Sequence, residues 1–215
     1  MMSGVLHDLR TPLSAIGGYA ELMAEEEDPA EREYYLSRVR TGLSHLEAMT
    51  TEVLEFSRGR WELAMEEVAL EDFATSVRQV VVPDIDRFGA MFLVEGALDG
   101  TARFDPNRLR RVLSNLARNA GEAGARTIRW VISRNERWLA FEVSDDGKGI
   151  SESVRHRLFQ PFATHGKQNG TGLGLAMARR IVDAHRGTIE VESEPGRGAT
   201  FRILLPLTSG ADPRA

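Results

Sequence analysis

An apolar seam runs through the first 23 residues of this chain and carries a proline in its middle. Leu6, Leu9, Leu13, Ile16, Ala20 and Met23 recur at steps of three and four, which predicts a helix packed lengthwise against other helices. Pro12 falls inside that seam. A proline there removes a backbone donor, crowds the carbonyl of Asp8 four residues back, and bends the helix. The stretch HDLRTPL (7–13) thus places a local break one turn after a histidine and an aspartate. His7 shares its outward face with Arg10, Thr11 and Ser14, and a lone histidine on such a face also suits plain solvation.

The acidic run EEEDP (25–29) ends the first helix, and Asp28-Pro29 is a start signal for a second. That second helix carries Leu36, Val39, Leu43, Leu46, Thr50 and Val53 at heptad spacing, with Phe56 beyond. Residues 1–60 therefore read as an antiparallel helical hairpin. Two striped helices cannot bury both faces alone, so a dimeric four-helix bundle is the economical solution, and packing against the rest of the same chain is the other.

Beyond about residue 66 the pattern changes. The β-like runs TIRWVISR, WLAFEVSD, GTIEVESE and ATFRILLPL alternate with the helical runs LEDFATSVRQVVV, NRLRRVLSNLARNAGEAG and GLAMARRIVDAH. That mixture predicts an α/β sandwich over 61–207, a sheet covered by helices on one face, so the whole chain is of the α+β class. Arg58-Gly59-Arg60 would be the hinge between the two parts, and 208–215 a flexible tail. The 215 residues give room for one or two domains with a real core. A net charge of −5 argues against nucleic acid as a partner, and the absence of cysteine excludes disulfides, thiolate metal sites and cysteine nucleophiles. No apolar run approaches the roughly 20 residues that cross a bilayer, and no signal peptide is visible, so the expected location is the cytoplasm. A helix starting almost at residue 1 is an abrupt beginning, and the chain also reads as the soluble part of something larger, reaching a membrane only through a sensor region it does not contain.

Three patterns in the second part carry chemistry. In GTGLGLAMARRIV, Gly170, Gly172 and Gly174 open onto a helix N-terminus, where amides and the helix dipole favour phosphate oxygens; a plain turn fits the same glycines. In DDGKGI, Asp145 ends a strand, and Gly147 and Gly149 let backbone approach a flat ligand. A carboxylate there would accept from an exocyclic amine and repel a carbonyl, which selects adenine over guanine. A glycine turn with a capping aspartate fits equally. In NLARNA, Asn115 and Asn119 lie four apart and share a helix face. Their amide oxygens are neutral ligands suited to Mg²⁺, although asparagines on a helix are also often simply solvated.

Taken in order, NLARNA, DDGKGI, LFQPFATHG and GTGLGLA resemble the nucleotide-binding domain of sensor histidine kinases, within the wider group shared with gyrase, Hsp90 and MutL. The resemblance covers about 66–207. It implies an ATP site formed by Asn115, Asn119, Asp145, Gly147, Gly149, Ile150, Phe159, Phe162, Lys167, Gly170, Thr171, Gly172, Leu173, Gly174 and Leu175, with Mg²⁺ held by Asn119 and Asn115. The segment ATHGKQN would be the lid over the phosphates, with Lys167 favoured over His165 as its cation. Where the related ATPases carry a glutamate base for water, this chain has Asn115, which cannot take a proton. The phosphoryl group must then go to another nucleophile.

HDLRTPL resembles the phosphoacceptor box of the same kinases along its whole length. By that resemblance His7 is the phosphoacceptor and Asp8 its base or orienter, and Thr11 positions water for dephosphorylating a partner regulator. The implied cycle is ATP-dependent autophosphorylation within a homodimer, followed by transfer to an aspartate of a response-regulator receiver domain. One departure stands out: Glu122 occupies the place where the asparagine box often has a phosphate-reaching lysine, leaving Arg118 or Lys167 to compensate. Two rivals remain on the sequence alone. They are an ATPase that hydrolyses ATP to drive conformational change, and a non-catalytic scaffold that binds the regulator through its hairpin.

Overall fold

The computed structural model describes residues 2–57, 62–161 and 172–207, with two units in the chain. The proposed hinge at 58–60, the lid at 163–169 and the tail at 208–215 lie outside the described residues.

The first unit holds α1 (Met2–Glu25) and α2 (Pro29–Ser57), packed against each other. The helix α1 continues through Pro12. The connection between the helices is short because the acidic run caps itself. Glu26 Oε1 accepts from the amides of Glu27 and Asp28 at 3.0 and 3.1 Å, and Asp28 Oδ1 accepts from Ala30 at 2.8 Å. Asp28 is thus the N-cap of α2, with Pro29 at its first position, where a missing amide costs nothing. The two helices approach closely at Gly42, where a Cβ would lie 2.6 Å from Ile16 Cγ1. Near the connection, Tyr19 lies 6.3 Å from Tyr35 and takes the Arg38 guanidinium on its ring at 5.6 Å. Much of the apolar surface is left uncovered: Leu13, Leu22, Leu43 and Leu54 are each about half exposed.

The second unit starts with β1 (Glu66–Ala69), α3 (Leu70–Asp86), β2 (Met91–Gly96), β3 (Thr101–Phe104) and α4 (Pro106–Glu122). It continues with β4 (Thr127–Arg134), β5 (Trp138–Asp145), the short α5 (Glu152–Arg155), α6 (Gly174–Ala184), β6 (Thr188–Ser193) and β7 (Ala199–Pro206). Five strands form a mixed sheet in the order β2-β4-β5-β7-β6, parallel only between β2 and β4. The strands β1 and β3 make a separate antiparallel pair.

Alternation builds the core. Ile128, Trp130 and Ile132 on β4, with Leu139, Phe141 and Val143 on β5, turn to one side and are buried. Helical spacing does the same on α3, where Leu70, Phe73, Ala74, Val77, Val81 and Ile85 are buried. Phe73 meets Phe104 edge-on at 4.9 Å and Trp130 at 6.1 Å, so α3 is held on the sheet by aromatic contacts. The four long β-like runs and three helical runs of the sequence are all present. The strands β1, β2 and β3 are additional to them.

Candidate functional site

Helix α4 is the spine of the site. Asp105 caps it, accepting from Arg108 at 3.0 Å, and Pro106 begins it. Leu109, Val112, Leu113, Leu116, Ala117 and Ala120 anchor one face in the core. Asn115 and Asn119 are therefore fixed on a helix that cannot rotate without breaking that packing.

Each of the other motifs meets α4 at a defined level. At Asn115 the partner is the start of α6: a Cβ on Gly174 would lie 2.4 Å from Asn115 Oδ1. Only glycine lets this helix N-terminus approach the amide so closely. Asn115 Nδ2 is buried without a hydrogen-bond partner, beside the N-terminus of α6. Its Oδ1 accepts from Arg118 Nη2 at 3.3 Å. Gly172, just before α6, has φ +64°, a left-handed backbone that favours glycine, and Leu173 is fully buried. Leu175 packs against the core from the first turn of α6.

Two turns further along α4, Ala123 receives the aspartate-glycine box. The Lys148 amide donates to the Ala123 carbonyl at 3.1 Å, and a Cβ on Gly147 would lie 3.1 Å from the same oxygen. The Ala123 amide in turn donates to the Asn119 carbonyl at 3.0 Å. One helix thus sets the spacing of the glycine loop, the asparagines and the aspartate.

Asp145 ends β5 half-buried, with Oδ1 accepting from the Gly147 amide at 2.9 Å. Burial pushes its carboxyl above the ordinary range, against the pull of hydrogen bonds from the Gly147 and Ala199 amides. A carboxylate has about four acceptor positions, so those two amides leave capacity for a ligand amine. Ile150 and Phe159 pack against the core, and the Arg179 guanidinium lies over the Phe159 ring at 5.8 Å.

The structure adds residues that the motifs did not name. Ser193 Oγ accepts from the Ile150 amide at 2.9 Å and donates to the Gly198 carbonyl at 2.6 Å. A Cβ on Gly149 would strike the Glu194 carbonyl, and one on Gly198 the Asp145 carbonyl. The β6–β7 turn therefore clamps the aspartate-glycine box from behind. Its sequence, SEPGRG, carried the signal as a glycine-proline turn between two strands. Asp146, beside Asp145, accepts from the Arg126 and Thr127 amides at 2.7 and 2.9 Å and fixes the start of β4. Those bonds hold its carboxyl below the usual range.

His7, Asp8 and Thr11 lie on α1 in the other unit. Phe162, His165, Lys167, Gly170 and Thr171 lie outside the described residues. Of the two cations weighed for the missing lysine, Arg118 is therefore the one whose surroundings are described.

The donor set fits Mg²⁺ better than a softer metal. Among the described residues no three His, Cys, Asp or Glu side chains gather to hold an ion. Asn115 and Asn119 offer hard, neutral amide oxygens, which suits an ion that keeps its remaining positions for water and phosphate. Among the described residues no helix is long and apolar enough to cross a membrane.

Comparison with known proteins covers both units. Residues 104–209 match the family described as histidine kinase-, DNA gyrase B-, and HSP90-like ATPase, and residues 1–60 match the His Kinase A (phospho-acceptor) domain. The chain is 35% identical over 216 residues to the signal transduction histidine-protein kinase AtoS of Escherichia coli (strain K12), an alignment that takes in 96% of this chain and 34% of that protein. It is similar to the crystal structure of histidine kinase ThkA in complex with response regulator protein TrrA, with TM-score 0.79 and 28% identity over 97% of this chain and 61% of that one. Full-length ShkA in complex with AMPPNP gives TM-score 0.72 and 29% identity over 97% of this chain and 46% of that one.

Proposed function

The chain belongs to the sensor histidine kinases, and from that premise we propose that it moves the γ-phosphoryl group of ATP to its own His7 and then to an aspartate of a response-regulator receiver domain. The observation that carries this reading is the convergence on α4: the Gly174 helix start meets Asn115 and the Asp145 box meets Ala123 at the helix C-cap, about two helical turns further on. Asp145 accepts the adenine amine. Gly147, Gly149, Ile150, Phe159 and Leu175 shape the base pocket, with Phe162 added from the adjoining segment. The α6 N-terminus, with Gly170, Thr171, Gly172 and Leu173 before it, cradles the phosphates. Asn115 and Asn119 hold Mg²⁺, which when bound offsets phosphate charge.

In the transfer, a ring nitrogen of His7 forms a bond to the γ-phosphorus as the bond to the bridging oxygen breaks, and ADP leaves. Asp8 orients the imidazole and supports it as a nucleophile. Little covalent chemistry is asked of the protein beyond positioning and charge neutralisation. Asn115 stands where a hydrolytic relative needs a base, which favours transfer to histidine over transfer to water.

The half-exposed Leu13, Leu22, Leu43 and Leu54 support a homodimer in which two hairpins form a four-helix bundle. The domain limits that follow are 1–60 for dimerisation and phosphoacceptance and 61–207 for catalysis. Thr11, three residues after Asp8, adds water-mediated dephosphorylation of the same regulator. The expected location is the cytoplasm.

Incubation with γ-labelled ATP tests the reading. The wild type should acquire a label that is stable to base and lost in acid, as a phosphoramidate is. His7→Gln lacks the ring nitrogen and should acquire none while binding ATP as before. A label persisting in His7→Gln would place the acceptor elsewhere. ATP consumed without any phosphoprotein would make the chain an ATPase, and neither activity would leave a scaffold.

A further inference from the structure

At the opposite end of α4 from the aspartate-glycine box lies a buried polar node that the nucleotide chemistry does not use. His185 follows the last residue of α6 and is 7% exposed, and Asp105, the cap of α4, is 3% exposed. His185 Nδ1 lies 2.7 Å from the Ile181 carbonyl oxygen. A carbonyl only accepts, so Nδ1 carries the proton and Nε2 is bare. Nε2 accepts from the Asp105 amide at 3.0 Å. The Asp105 carboxylate is itself shared: Oδ1 takes the Arg108 amide and Oδ2 the Ala64 amide, each at 3.0 Å. One imidazole therefore joins the end of α6 to the head of α4, and one carboxylate joins that head to the segment leading into β1.

We propose that His185 is a positioning residue for the nucleotide site: its neutral ring locks α6 to α4, holding Gly174 against Asn115, and its protonation releases that lock. The proposal rests on the ATP-binding reading above. Its logic is the polarity of the node. A proton on Nε2 would face the Asp105 N–H, donor against donor, in a largely buried site. Gly174 begins the same eleven-residue helix that His185 follows, and Asn115 sits on the helix that Asp105 caps. A shift at the node moves both members of the Gly174–Asn115 contact.

Burial lowers the His185 pKa from 6.5, partly offset by the Ile181 hydrogen bond and the Asp105 charge. Among the described residues Asp105 is the charged group acting on the ring; on its own helix end Asp183 is paired with Arg179 at 3.2 Å, and Arg186 follows. The folded state therefore binds the proton less readily than the unfolded one. The lock is complete above pH 6.5 and is lost as the pH falls from there through the lower folded value.

The test is ATP affinity from about pH 8 to about pH 5, together with circular dichroism, for the wild type, His185→Gln and His185→Leu. Glutamine can present an acceptor to Asp105 and does not titrate. It should bind ATP within a few-fold of wild type at the alkaline end and show a shallower pH dependence. The difference between the two profiles isolates His185 from protonation of ATP itself, and the wild type should lose at least about fivefold more on acidification. His185→Leu should bind weakly throughout while keeping its secondary structure. Parallel wild-type and Gln profiles, or a Leu variant that binds like wild type, would overturn the positioning role and leave the ATP reading standing. A wild type that binds no ATP at the alkaline end would instead overturn the ATP reading and this proposal with it.

Discussion

Gly174 and Asn115 meet so closely that a single methyl group at Gly174 would come within 2.4 Å of the asparagine oxygen. The contact is backbone against a side-chain tip, so the tip would give way. Gly174 has the backbone of a helix start and a φ outside the left-handed region, so alanine is tolerated there and even favours the helix. Gly174→Ala should therefore fold with unchanged or slightly higher stability, yet lose roughly tenfold in Mg·ATP affinity, about 1.4 kcal/mol, because Asn115 is displaced. Calorimetric titration beside a thermal melt separates the two effects. Wild-type affinity in this variant would remove the Gly174–Asn115 contact from the binding site.

Asp145 should trade stability for binding. Its folded pKa is raised by burial, so ionisation costs the folded state, and stability falls as the pH rises from 3.8 through the higher folded value. Asp145→Asn keeps an oxygen for the Gly147 amide and carries no charge to desolvate. It should be at least as stable as wild type at neutral pH and lack this acid-range slope. Its amide disturbs the donor-acceptor match to adenine, with a loss of roughly 1–3 kcal/mol, or about tenfold to a hundredfold in affinity. A variant that bound ATP like wild type would take Asp145 out of the pocket.

Ser193 is the hinge pin between the β6–β7 turn and the aspartate-glycine box. Ser193→Ala would strip the Ile150 amide of its partner at 2.9 Å and the Gly198 carbonyl of its partner at 2.6 Å. Partly buried groups left unpaired cost about 1–3 kcal/mol. Urea denaturation should show a lower midpoint with an unchanged slope, and Ser193→Thr should restore most of it. An alanine variant with the wild-type midpoint would mean that water replaces the hydroxyl without loss.

What was legible beforehand divides along physical lines. TIRWVISR and WLAFEVSD alternate apolar and polar residues because one face packs on helices, and that local rule is visible in any single strand. MFLVEG lacks a clean alternation, and EEVA and TARF are four residues long, so their strand character comes from distant partners such as Glu66 with Phe104. Asn115, Asp145 and Gly174 stood out beforehand because their residue types and spacings form local motifs, and the structure sets all three motifs along α4. Ser193, Asp146 and His185 were not. They hold backbone amides 43, 20 and 80 residues away, and nothing local distinguishes such a serine, aspartate or histidine from a solvated one.

Asp8 and Thr11 share one turn of α1 with His7 and should divide two reactions between them. If Asp8 supports the imidazole as proposed, Asp8→Asn should lower the self-phosphorylation rate sharply. The same reading gives Thr11 no part in that step. On the proposed reading its hydroxyl would orient a water toward a phospho-aspartate docked on the same face, an effect of position. Thr11→Ala should therefore slow dephosphorylation of the phospho-regulator at least about tenfold, roughly 1.4 kcal/mol of barrier, with self-phosphorylation within a few-fold of wild type. Both rates, measured for both variants with one regulator, decide the matter. Equal damage to self-phosphorylation in the two variants would defeat the division of labour, and Thr11 would then be a structural support for the helix around Pro12.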